Sequence, residues 1–132
     1  MAADSAKAGE YVLVIDDDAI LRDLVADWLE GAGYKVRKAA DCQSALQALD
    51  GGAPALIVSD MYMPGRCAGA AIAELKRHAP NSPLIAVSGY FKSGSGVSAE
   101  QALAAGAARA LAKPMRRAQL LIAVSELIGP PA

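Results

Sequence analysis

Five times along this chain a short apolar run gives way to a segment whose apolar residues recur at helical spacing. Tyr11 to Ile15 is an unbroken aliphatic and β-branched run, as expected of a strand buried on both faces. Tyr34 to Ala39 alternates apolar and basic residues, the pattern of a strand nearer an edge. Ala55 to Ser59 and Leu84 to Ser88 read as inner strands, and Arg109 to Ala112 as a fifth, weaker one. Between them, Asp18 caps a first helix in which Ile20, Leu21, Leu24, Val25, Trp28 and Leu29 form the apolar stripe, ended by Gly31 or Gly33. Asp41 caps a second helix through Leu46 and Leu49, stopped at Gly51 and Gly52. A third runs from about Cys67 to His78 with Ile72 and Leu75 inward, after which Pro80 and Pro83 forbid helix. Ser98 to Gln101 reads as a capping box opening a fourth helix that ends at Gly106. The fifth runs from Met115 to about Ile128, with Leu120, Leu121, Val124, Leu127 and Ile128 on one face. Strand-helix alternation of this kind predicts an α/β fold: a doubly wound parallel sheet, helices on both faces, joined by right-handed crossovers.

Length and composition narrow the function classes. The 132 residues suit one domain, and a hydrophobic content of 54% is enough for a core. The net charge of −1 offers no basic surplus for nucleic acid. No apolar run approaches the ~18–20 residues of a membrane span. Met1 to Glu10 carries Asp4, Lys7 and Glu10 and lacks the apolar centre of a signal peptide. The expectation is a cytoplasmic protein with a disordered segment over 1–9, a folded unit over 10–128 and a tail over 129–132. Cys42 and Cys67 belong to no Cys/His cluster, so a zinc site is not expected.

The chemistry-bearing residues fall at strand ends. Parallel α/β sheets bind ligands outside the carboxyl ends of their strands. Asp16 and Asp17 follow the first strand, Asp60 the third, Ser88 closes the fourth, and Lys113 follows the fifth. Mg²⁺ takes one or two carboxylates and completes its oxygen shell with water and phosphate. Asp17 and Asp60 suit that role, with Asp16 binding directly or through water and a backbone carbonyl just past Asp60 adding an oxygen. Asp60 is the best candidate for a nucleophile that forms an aspartyl-phosphate. Ser88 and Lys113 would meet the phosphoryl oxygens. Each residue also has a plainer reading. Asp18 is a helix cap, Asp16 or Asp17 alone a cap or turn residue, Ser88 a strand end, and Lys113 a surface residue. His78 suits a helix C-terminus, and Arg66, Arg116 and Arg117 suit solubility. Their joint placement is what argues for a site.

These residues resemble the receiver domain of two-component response regulators, the CheY-like group with a flavodoxin-like fold. The match rests on the Asp16-Asp17 pair, Asp60 followed by Met63-Pro64, Ser88, and Lys113-Pro114, and spans about Tyr11 to Ile128. The resemblance implies a five-stranded sheet of order 2-1-3-4-5 with five helices. It implies Mg²⁺-dependent transfer to Asp60 from the phosphohistidine of a sensor histidine kinase or a histidine phosphotransfer protein. Asp17, Asp60 and the Tyr62 carbonyl would be metal ligands, Asp16 would assist through water, and Ser88 and Lys113 would bind phosphoryl oxygens. Phosphorylation would then alter the face built by the fourth helix, fifth strand and fifth helix, and so the docking of a downstream protein. A stand-alone regulator is expected, taking one phosphoryl group per chain rather than turning over as an enzyme. Neither direct nucleic-acid binding nor membrane association is expected, and a homodimer stays open.

The chain departs from the family in three places. Ala110 stands where receivers carry an aromatic, three positions before the lysine. Ala68 stands where a glycine is usual, with Gly69 beside it. The stretch from Ser88 to Lys113 is longer, with the excess in Phe91 to Ser98. The glycine- and serine-rich loop with Tyr90 and Phe91 is then the expected carrier of the conformational signal. Tyr62 and Tyr90 are the residues expected to shield the phosphoryl group from water. Ala110 also keeps open a receiver-like module that works without phosphorylation. A small aspartate-nucleophile phosphatase of the haloacid dehalogenase type would use Asp16 and Asp18, but needs further acidic ligands. A flavodoxin-like redox carrier would need a phosphate loop where the aspartates stand.

Overall fold

A computed structural model describes residues 11–61, 68–89 and 99–131. In chain order its elements are β1 (Tyr11–Ile15), α1 (Ala19–Gly31), β2 (Lys35–Ala39), α2 (Cys42–Leu49), β3 (Leu56–Asp60), α3 (Ala68–His78), β4 (Leu84–Ser88), α4 (Ala99–Ala104), β5 (Arg109–Ala112) and α5 (Arg117–Ile128). All strand pairings are parallel, and the sheet order is β2-β1-β3-β4-β5. The alternation, the sheet order and the five helices are those expected. The basic, alternating strand is the edge strand β2. The inner strands β1, β3 and β4 are buried along their whole length.

Side chains of successive strand residues point to opposite faces, and two cores result. Tyr11, Leu13, Ile15, Ile57, Leu84 and Ala86 pack on the side of α2, α3 and α4, where Ile72 and Leu75 meet them. Val12, Val14, Leu56, Val58, Ile85 and Val87 pack on the side of α1 and α5, against Val25, Leu29, Leu120 and Val124. Burying one such aliphatic side chain contributes roughly 1.5–3 kcal/mol. At the β2 edge the Arg37 guanidinium lies 4.4 Å from the centre of the Tyr11 ring. The Tyr11 hydroxyl donates to the Gly52 carbonyl at 2.5 Å. Burial raises its pKa above the usual 10.0, while the Arg37 charge pulls the other way.

The helix ends follow the sequence signals. The Asp18 side chain accepts from the N–H groups of Ile20 and Leu21, and Asp41 accepts from that of Ser44. That backbone donor is the main reason the Asp41 carboxyl lies below its usual pKa. Helix α1 ends at Ala32 with Gly33 at a φ of 105°, a conformation glycine adopts freely. Helix α5 begins two residues later than expected, at Arg117, because Arg116 is extended and caps it, its N–H bonded to the Gln119 side chain. The strand β3 includes Asp60, one residue beyond its expected end.

The expected apolar stripe of α1 is too wide. Val25, Ala26 and Leu29 are buried, but Ile20 is 80% exposed and Leu24 40%. At about 100° per residue, a row through Leu21, Val25, Trp28 and Leu29 leaves Ile20 and Leu24 turned off the sheet. The expected capping box at Ser98 and the start of the third helix at Cys67 lie outside the described residues. Cys42 opens α2 in the core.

We expect Leu29→Ala to lower stability by about 2–5 kcal/mol, through lost burial and the cavity left behind. Ile20→Ser should change it by less than about 0.5 kcal/mol. Urea denaturation of the two variants checks both values.

Candidate functional site

Strand periodicity builds the site. Asp16 and Asp60 continue the rows of Val14 and Val58, so both carboxylates emerge on the α1–α5 side at the carboxyl edge of the sheet. The Asp16 N–H donates to the Ala39 carbonyl at 3.1 Å, extending the β1–β2 ladder by one rung. The Lys113 N–H donates to the Ser88 carbonyl at 3.0 Å, extending β4–β5 in the same way. The Met61 N–H donates to the Val87 carbonyl at 2.9 Å, just past Asp60. Lys113 is joined to Pro114 by a cis peptide bond.

The side chains then converge. The Lys113 Nζ lies 3.4 Å from Asp16 Oδ2 and 3.5 Å from Asp60 Oδ1. The Asp16 and Asp60 side chains are 9% and 7% exposed, so water screens these contacts poorly. The other Asp16 oxygen, Oδ1, accepts the Asp18 N–H at 2.9 Å. The Asp16 carbonyl accepts from Arg22 Nη1 at 2.8 Å, which ties the loop to α1. Asp17 is exposed, yet Asp16, Asp17 and Asp60 each offer an oxygen within 4.8 Å of the others. Ser88 is buried at the end of β4, paired in register with Ala112, and lies next to the strand that carries Asp60.

Among the described residues, three carboxylates and one ammonium leave this edge with a formal charge of −2. Two oxygens bound to one Mg²⁺ at about 2.1 Å can be no more than about 4.2 Å apart. Oxygens spread over as much as 4.8 Å therefore suit one divalent cation after a small closure, or with one carboxylate acting through water. The residues present fit the ion. Among the described residues no other group of His, Cys, Asp and Glu is arranged to hold one.

Asp16, Asp17, Asp60, Ser88 and Lys113 thus lie at one sheet edge. Tyr62, the expected carbonyl ligand, and Tyr90 lie outside the described residues. His78 is on α3, its Nδ1 3.0 Å from the Glu74 carbonyl within its own helix. Asp18 serves as the α1 cap. Arg22 had drawn no attention in the sequence. Only its place one turn into a capped helix could have signalled its reach back to the loop.

The model of the response regulator receiver domain matches residues 12–125. The chain belongs to that family. Receiver domains are signalling modules of two-component systems, for which aspartate phosphorylation and Mg²⁺ are general. The chain is 32% identical over 113 residues to the nitrogen assimilation regulatory protein NtrX of Azorhizobium caulinodans, covering 84% of this chain. It spans only 24% of that relative's own length. The solved receiver domain of NtrX from Brucella abortus has a TM-score of 0.80 at 31% identity, covering 89% of this chain and 97% of that one. A response regulator protein from Burkholderia pseudomallei, solved with a phosphorylated aspartic acid, calcium ion and citrate, has a TM-score of 0.76 at 30% identity. That match covers 89% of this chain and 66% of the other. No helix among the described residues is long and apolar enough to cross a membrane.

Relieving the like-charge cluster should stabilise the receiver. In metal-free buffer we expect Asp60→Asn to raise the thermal midpoint. Mg²⁺ at a hundred times its Kd should stabilise the native chain by about 2.7 kcal/mol and the variant much less. Thermal denaturation with and without the ion checks both.

Proposed function

We propose that Asp60 accepts a phosphoryl group from a phosphohistidine on a histidine kinase or histidine phosphotransfer protein. The observation that carries this reading is a buried carboxylate at the end of β3, with an ammonium 3.5 Å away and two further carboxylates in the same cluster. The phosphorylated aspartic acid of the Burkholderia relative supports it. A carboxylate oxygen of Asp60 bonds to phosphorus as the P–N bond of the donor breaks, and the imidazole leaves with the electron pair and takes up a proton. Lys113 is near enough to Asp60 to neutralise a phosphoryl oxygen as it arrives. Ser88 would donate its hydroxyl to a second one. Asp16 stays fixed by the Asp18 N–H while its other oxygen orients Lys113. Asp16, Asp17 and Asp60, with the Tyr62 carbonyl, would hold Mg²⁺, which when bound offsets charge on the transferred group. The domain, over residues 10–128, would act in the cytoplasm. Phosphorylation would shift the population of a protein-docking surface.

Incubating the native chain with Mg²⁺ and acetyl phosphate should add the mass of one phosphoryl group. Asp60→Ala should add none, and omitting the metal should suppress the gain. An unchanged increment in Asp60→Ala, or repeated hydrolysis of a generic phosphate ester by the native chain, would count against this reading.

One observation favours a second reading. Ala110, in β5 opposite Ala86, has no rotamer with which to couple the site to the face of α4, β5 and α5. A module that docks its partner without phosphorylation would follow. Amide hydrogen exchange in α4 and β5 separates the two: protection changing on phosphorylation supports the switch, and unchanged protection supports the constitutive module.

A further inference from the structure

A cavity of about 450 Å³ opens on the α1–α5 side of the sheet, beside the acidic edge. Val14, Val58 and Val87 form its floor, and Leu24, Trp28 and Met115 stand around it. The three valines are short, and Leu24 leans far enough outward to be 40% exposed, so the space between α1 and the start of α5 is left unfilled. Among the described residues its charged lining is confined to Asp16, Asp60 and Lys113, all at one end. We propose that this cavity binds a small molecule with an aromatic or branched apolar body and a single ammonium head. The cavity shares Asp16, Asp60 and Lys113 with the acidic edge, but the proposal does not rest on phosphoryl acceptance.

Three features point to that class. The volume falls within the roughly 300–1,000 Å³ of small-molecule sites, and the apolar body with a few polar groups at one end matches their usual lining. An amphiphilic ligand would be oriented by that asymmetry, its body on the valines and Trp28 and its head at the carboxylates. The sign of the head follows from the charges. Asp16 and Asp60 line the cavity, Asp17 lies within the same cluster, and among the described residues Lys113 is the only lining cation. A cation lowers the local charge of −2, a neutral head leaves it, and an anion adds to it. A divalent cation draws on the same negative charge, so ligand and metal oppose each other. The ligand would therefore act as an inhibitor of metal loading.

Trp28, the only tryptophan of the chain, reports on the site directly. Its fluorescence is titrated in metal-free buffer with 2-phenylethylamine, the neutral 2-phenylethanol and the anionic 3-phenylpropionate. We expect saturable binding of the amine, about tenfold weaker binding of the alcohol, and none of the acid. Mg²⁺ should raise the apparent Kd of the amine. Val87→Leu and Leu24→Phe, which fill the cavity from floor and rim, should weaken it. Leu24 is exposed enough that its variant stays folded, checked by urea denaturation. No saturable response, equal affinity for all three probes, or amine binding untouched by both variants overturns the proposal. So does concentration-dependent dimerisation that Leu24→Phe abolishes, which would make a second copy the occupant. Because neither phosphoryl donor nor metal enters the first titration, failure of Asp60 to accept a phosphoryl group leaves this result standing.

Discussion

Three carboxylates held at one edge of a sheet repel one another, and the ammonium of Lys113 offsets only part of that charge. The arrangement persists because each group is anchored by backbone rather than by its own attraction. Asp16 is fixed through its N–H, its carbonyl and one carboxylate oxygen. Lys113 is fixed by the rung its N–H makes to Ser88. The two cores supply the stability that lets the strand ends stay charged. A chain free to relax would separate these charges.

The parallel sheet is what makes such anchoring cheap in residues. Parallel neighbours end on the same side, so four strands deliver acid, hydroxyl and amine to one place without long loops. The period of two then sorts the deliveries. Asp16 and Asp60 share a face with Val14 and Val58, and the α1–α5 side becomes both the acidic edge and the wall of the cavity. The consequence is that one cluster of charges borders two neighbouring volumes, the edge where three carboxylates could hold a cation and an apolar recess.

The element order, the caps at Asp18 and Asp41, the edge character of β2 and the gathering of Asp16, Asp17, Asp60, Ser88 and Lys113 were all legible beforehand. They depend on local signals: side-chain oxygens beside helix starts, apolar runs of strand length, and polar residues placed just after them. What was misjudged depends on geometry at longer range. Ile20 and Leu24 fit a helical apolar stripe by type, yet they turn off the face that α1 lays on the sheet. The late start of α5 reflects an extended Arg116, which no spacing rule anticipates. Arg22 had no motif to announce its contact with the Asp16 carbonyl.

By itself, then, the order of residues determined which groups stand at strand ends and which faces of each strand are apolar, because hydrophobic period and turn chemistry act over a few residues. Only the tertiary structure decided that Lys113 sits between Asp16 and Asp60, and that three valines and an outward Leu24 leave a recess beside them. Those outcomes depend on the register of strands far apart in the chain and on how completely two helices fill the surface between them. No local pattern encodes such distances.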